Sequence, residues 1–181
     1  MQTRLVVVLA LTVAWLVAVT PIHATESDAQ AMLDTLKSLE GTWQGTAEGT
    51  GTDELPENEE PPRPIHEFRV SAAGTVVMET MNPGTDHEMI NMYHLDGDEL
   101  MLTHYCAGGN QPSMRLVSDR STPEKMVFDF AGGTNLDPAV DGHIHAAEIT
   151  MVDSDHVISE WIGYQNGAEA GVMTFDLERV D

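Results

Sequence analysis

The chain has 181 residues, 30 acids against 8 lysines and arginines, a formal net charge of −22, and one cysteine. A lone cysteine excludes an internal disulfide framework. The acid excess excludes nucleic-acid binding through a basic surface and disfavours docking on anionic lipid. The length suits one domain that can bury a core without covalent staples.

The first residues have the layout of an export signal. Arg4 gives a positive start, Leu5 to Val19 is apolar apart from Thr12, and Pro21 ends the run. Ile22-His23-Ala24 then offers a small residue at a cut. The apolar run is shorter than the about 20 residues a spanning helix needs. The expectation is therefore a signal peptide over residues 1–24, cleavage before Thr25, and no stable membrane anchor after processing. Residues 25–181 then form the folded domain, in the periplasm or outside the cell. Lys37 and Lys125 are the two lysines, while acids run along the whole chain. That pattern suits a solvated acidic shell.

Ser27 to Glu40 reads as a helix, because Leu33, Leu36 and Leu39 recur at helical spacing with Met32 beside them and Gly41 follows. Thr52 to Pro64 is an acidic, proline-rich loop. The rest of the chain reads as strands at 42–51, 65–71, 75–81, 87–95, 99–106, 113–120, 125–131, 143–152, 156–165 and 171–180. Most links are of hairpin length, with turn chemistry at Asp96-Gly97-Asp98, Asp153-Ser154-Asp155 and Asn166-Gly167. Strands so spaced, without a long crossover, predict an all-β fold, an antiparallel up-and-down barrel of about ten strands behind a short N-terminal helix.

The stretch Leu39-Glu40-Gly41-Thr42-Trp43-Gln44-Gly45 after a short helix resembles the opening of calycin barrels, where a Gly-x-Trp begins the first strand. That superfamily includes lipocalins, fatty-acid-binding proteins and nitrobindin-type haem barrels, and ten strands suit the last two better. Thr103-His104-Tyr105-Cys106 through Asn110-Gln111-Pro112 also resembles secreted bacterial proteins of lipocalin-like type. The resemblance implies an internal pocket for a small, often apolar molecule.

Strand parity selects the residues of that pocket. A two-residue loop at Asp96-Gly97 pairs Leu95 with Asp98 and puts Asn91, Tyr93, Leu100, Leu102, His104 and Cys106 on one inner face, with His94 outside. A Ser154-Asp155 loop pairs Met151 with Ile158 and Ile149 with Glu160. It places His143, His145, Ala147, Ile149, Met151, Ile158, Glu160, Ile162 and Tyr164 together inside, which leaves Trp161 facing out unless a bulge reverses the strand. Asn110 and Gln111 can bring amide donors to the barrel mouth. The ligand-binding candidates are thus Asn91, Tyr93, His104, Cys106, Asn110, Gln111, His145, Glu160 and Tyr164.

Chemistry beyond binding has weaker support. His143 and His145 at i, i+2 can reach one metal ion, and His104 with Glu160 would complete a ligand set for a metal-dependent enzyme. One inward histidine could instead hold a haem iron. Scattered methionines suit adaptable core filling more than a copper carrier. Cys106 beside His104 has no third group to orient a nucleophile, and no serine elbow, phosphate loop or dinucleotide fingerprint is present. A small-molecule-binding barrel, rather than an enzyme, is the expectation. No particular cofactor or oligomeric state follows.

Overall fold

The computed structural model describes residues 28–50 and 63–180. The expected signal peptide, its cut and most of the acidic loop lie outside these residues. Helix α1 spans Asp28–Lys37, and ten strands follow: β1 Gly41–Gly49, β2 Ile65–Ser71, β3 Val76–Met81, β4 Met89–Asp96, β5 Glu99–Tyr105, β6 Gln111–Leu116, β7 Lys125–Thr134, β8 His143–Asp153, β9 His156–Gln165 and β10 Ala168–Val180. Each strand pairs antiparallel with its neighbour in sequence, and β1 pairs with β10, so the sheet closes into a barrel. The all-β, ten-stranded expectation matches this architecture.

Helix α1 buries Ala29, Met32, Leu33 and Leu36, which recur on one helical face. It packs on β2 to β5 and covers the end of the barrel where β1 begins. The helix stops short of the expected Glu40. Ser38, Leu39 and Glu40 instead make tight turns back to the carbonyls of Thr35, Leu36 and Lys37, which frees the chain to enter β1. Trp43 is fully buried on β1, and its indole N–H donates to the Leu39 carbonyl at 2.8 Å. From β10, the Arg179 guanidinium lies 4.3 Å from the Trp43 ring centre. The same group donates to the Ser38 and Glu40 carbonyls at 3.0 and 2.8 Å and to Asp155 at 3.1 Å. One side chain thus ties the helix end, β1 and the β8–β9 turn to β10. Gly45 allows the close approach of these strands, since a Cβ there would meet the Asp176 carbonyl oxygen at 1.7 Å.

The barrel interior divides into two halves. Toward α1 it is filled by Trp43, Leu100, Leu102, Met114, Met126, Phe128, Ile149, Val157 and Leu177, all buried. Toward the other end the side chains stand apart and leave a cavity.

Two hairpins decide which residues reach it. The β4–β5 turn uses Gly97-Asp98, with Gly97 at φ +62 in the first central position, so Asp96 pairs with Glu99 and Asn91 with His104. The expected pairing is displaced by two positions, which leaves every side chain on its expected face. Asn91, Tyr93, Leu100, Leu102 and His104 are all buried, and His94 is not. The β8–β9 turn uses Ser154-Asp155 as expected, but Val152 is an extra residue, so Met151 pairs with Val157 and not Ile158. One inserted residue inverts all of β9. Val157, Ser159 and Trp161 point inward; Ile158, Glu160, Ile162 and Tyr164 point outward, correcting the expected inner face. A second bulge, at His145, similarly brings Ile144 rather than His145 to the cavity wall.

Candidate functional site

The cavity has a volume of about 650 Å³, within the range of small-molecule pockets. Its walls are Ala47, Met81, Met89, Ile144, Trp161, Met173 and Phe175, with His104 and Cys106 on one side. Its mouth carries Arg63, Pro64, Asn82, Pro83, Thr85 and His87, where β2 begins and where β3 passes into β4. The lining is predominantly apolar. Trp161 is held by an indole N–H donating to Ser159 Oγ at 3.1 Å.

Behind the His104 wall lies a buried polar chain centred on Glu79. Glu79 is 1 % exposed, a cost that only well-made hydrogen bonds can offset. Its Oε1 is 2.7 Å from His66 Nδ1, and its Oε2 accepts from Tyr93 Oη at 2.6 Å and Asn91 Nδ2 at 2.8 Å. Burial pushes the Glu79 pKa up, but the hydrogen bond and charge of His66, with the hydrogen bonds of Tyr93 and Asn91, outweigh it and hold the carboxyl below its usual range. Burial, then the Glu79 charge and hydrogen bond, push Tyr93 well above the ordinary phenol value.

This chain fixes the proton on His104. An ionised carboxylate only accepts hydrogen bonds, so the Asn91 NH₂ must face Glu79 and the Asn91 carbonyl oxygen must face His104. His104 Nδ1, 2.7 Å from that oxygen, therefore carries the proton. Burial lowers the His104 pKa to about 4, against a smaller upward pull from Glu79, so the ring is neutral near pH 7. Its Nε2 is then a bare acceptor, and it is buried with no hydrogen-bond partner. His66 Nε2 is likewise buried with no hydrogen-bond partner, and its ring packs 4.7 Å from that of Phe175.

The sequence candidates fall into several places. His104 and Cys106 line the cavity, and Cys106 Sγ accepts from the Gly108 backbone N–H at 3.3 Å. Asn91 and Tyr93 stand behind His104 and support it through Glu79. Asn110 donates to the Gly142 carbonyl at 2.8 Å, and Gln111 accepts from Thr134 and Asn135 at 2.8 and 2.9 Å. These two amides tie neighbouring loops together and are not among the cavity walls. His145 stacks on Tyr164 and Phe130 with centroids at 3.9 and 4.8 Å, and His143 Nε2 lies 3.1 Å from His145 Nδ1. This aromatic group stands apart from the cavity lining. Burial and then the His143 charge lower the His145 pKa, against a smaller opposing effect of Asp129. Glu160 borders a separate outer groove with Glu48 and Thr174.

The expected metal set of His104, His143, His145 and Glu160 is therefore divided among three locations, because the two β8 bulges break the parity that would join them. Among the described residues no group of three or more His, Cys, Asp or Glu side chains is placed to hold a metal ion.

Glu79, His66, Trp161, Met81 and Phe175 were not among the sequence candidates. Val76-Val77-Met78-Glu79-Thr80-Met81 carries apolar residues on both faces, so alternation alone gives Glu79 no side. The usable signal was its neighbour in space: β3 pairs Glu79 with Asn91, whose inward facing the β4–β5 hairpin predicts.

No family model matches the chain, and no curated protein matches it. A fold likeness does emerge. A protein of unknown function from the DUF3598 family of Nostoc punctiforme, known from its crystal structure, aligns with a TM-score of 0.51 and 14% identity. The alignment covers 80% of this chain and 49% of that one, so the chain spans about half the length of this relative in fold. At that identity the likeness concerns the barrel architecture alone.

Proposed function

We propose that this protein is an exported barrel that binds a small, largely apolar molecule in its hollow half. The observation that carries the reading is the apolar cavity of about 650 Å³ above a fully packed core. A folded interior is ordinarily close-packed, and space of this size is retained at the expense of stability. Binding is favoured over catalysis by the surroundings of Cys106, whose sulfur accepts from the Gly108 N–H and, among the described residues, makes no hydrogen bond to a side-chain base.

The neutral fluorescent probe N-phenyl-1-naphthylamine tests the role. One probe per chain is expected to bind, with energy transfer from Trp161 in the wall. Ala47→Phe, which fills the cavity, should weaken binding at least about tenfold, a loss of about 1.4 kcal/mol. Absence of saturable binding, together with a native mass spectrum showing no copurifying molecule, would overturn the reading. Were haem the ligand, His104 would hold its iron through Nε2, and a Soret band in the purified protein would replace an organic ligand with haem.

Export is supported by the apolar Leu5 to Val19 run before Ala24. N-terminal sequencing of the mature protein should begin at Thr25 or within a few residues of it. A mature chain that keeps Leu5 to Val19 contradicts export by cleavage.

A further inference from the structure

We propose that the molecule held in the cavity carries a hydroxyl or N–H group and donates it to Nε2 of His104, so that alcohols and phenols are selected over their ethers and over carboxylates presented to the same atom. The inference rests on the binding role proposed above and adds the polarity of the ligand's inner end. It follows from a chain of directed hydrogen bonds. Glu79 can only accept, so Asn91 turns its NH₂ to Glu79 and its oxygen to His104. His104 must donate from Nδ1, and Nε2 is left with a lone pair and no partner.

That acceptor is already buried and unpaired, which is destabilising; a ligand with a donor relieves the cost, and a ligand without one leaves it standing. A carboxylate brought to His104 is opposed twice. It has no proton to give at neutral pH, and it would set a second negative charge near the buried carboxylate of Glu79, whose charge is already felt at His104. The guanidinium of Arg63 offers an anionic head a place at the mouth instead.

The test compares three probes of like shape on the purified full-length mature chain by isothermal titration calorimetry: para-butylphenol, its methyl ether para-butylanisole, and para-butylbenzoate at pH 7. The phenol should bind about ten- to a hundredfold tighter than the ether, the range expected for satisfying or orphaning one buried acceptor. The benzoate should bind more weakly than the phenol, and its residual affinity should fall in Arg63→Gln. In His104→Leu, the phenol and ether should converge to within about threefold. Equal affinities for phenol and ether in the unaltered protein would overturn the proposal, and that comparison needs no variant to fold. A preference that survives in a folded His104→Leu protein would also overturn it. If none of the three binds, the cavity is not a site for small apolar molecules, and the binding role itself fails. If phenol and ether bind equally well, that role stands and only the donor requirement falls.

Discussion

Glu79→Ala is expected to cost the fold about 3–5 kcal/mol, the range for removing one partner from a buried charged pair. The alanine would leave His66 Nδ1, Asn91 Nδ2 and Tyr93 Oη without their shared acceptor, all three on buried side chains. It would also leave a hole in a wall that cannot close freely, because Glu79 sits on a strand paired on both sides. Glu79→Gln should cost less, since it preserves shape. It still turns an NH₂ toward one of three donors, so an intermediate loss is expected. Urea unfolding at pH 7 measures both. A loss under about 1 kcal/mol for the alanine variant would mean that the network contributes little beyond filling space.

The second large effect is a loss of stability on acidification that His104 controls. Its folded pKa is about 4 against an ordinary 6.5. A lowered histidine pKa means that the unfolded chain takes up the proton first. Stability is therefore lost as pH falls from about 6.5 toward 4 and levels off below the folded value. The shift corresponds to about 3 kcal/mol between pH 7 and pH 4. Glu79 adds a loss of the same direction in a lower window. Its folded pKa is depressed, so its contribution is present above the unfolded value of 4.5 and disappears as pH falls through the folded one. Acidification also relieves the self-repulsion of a chain with net charge −22, which acts in the opposite sense. The informative quantity is thus the difference between the unaltered protein and His104→Gln, each unfolded in urea at pH 7 and pH 4. The unaltered protein should lose about 3 kcal/mol more than the variant over that interval. Parallel losses in the two proteins would show that His104 is not held neutral by burial.

How far the sequence discloses this arrangement depends on which errors parity tolerates. At Asp96-Gly97-Asp98, moving the two-residue loop by one position changes the pairing by two, and two is the side-chain period of a strand. His104, Asn91 and Tyr93 therefore come out on the correct face from an incorrect pairing. At Val152 the loop is assigned correctly, but one bulged residue inverts β9, exchanging Glu160 and Tyr164 for Ser159 and Trp161. The awkward outward placement of a tryptophan is the visible trace of that bulge in the sequence. Strand β3 is hidden for another reason. With apolar residues on both its faces and the seven-residue connection 82–88 before β4, neither alternation nor a tight turn sets the facing of Glu79. The barrel is legible because it rests on the number and spacing of strands. The polar chain behind His104 is not, because it depends on long-range registers that no local pattern encodes.

Closure of the barrel by β1 against β10 has a consequence for how the chain is made. Thr42 pairs with Val180 and Gly49 with Met173, so the ladder that removes both sheet edges joins segments near opposite ends of the described chain. Arg179, which locks Trp43 and the end of α1, emerges with the same final strand. Until β10 is available, β1 and β9 are open edges and the Trp43 corner lacks its guanidinium. Such a topology has high contact order, and its closing contacts form only after a long loop has been brought together. Synthesis from the N-terminus therefore leaves the growing chain with an unpaired edge on β1 and another on its newest strand until β10 emerges, so closure is the last event of folding rather than the first.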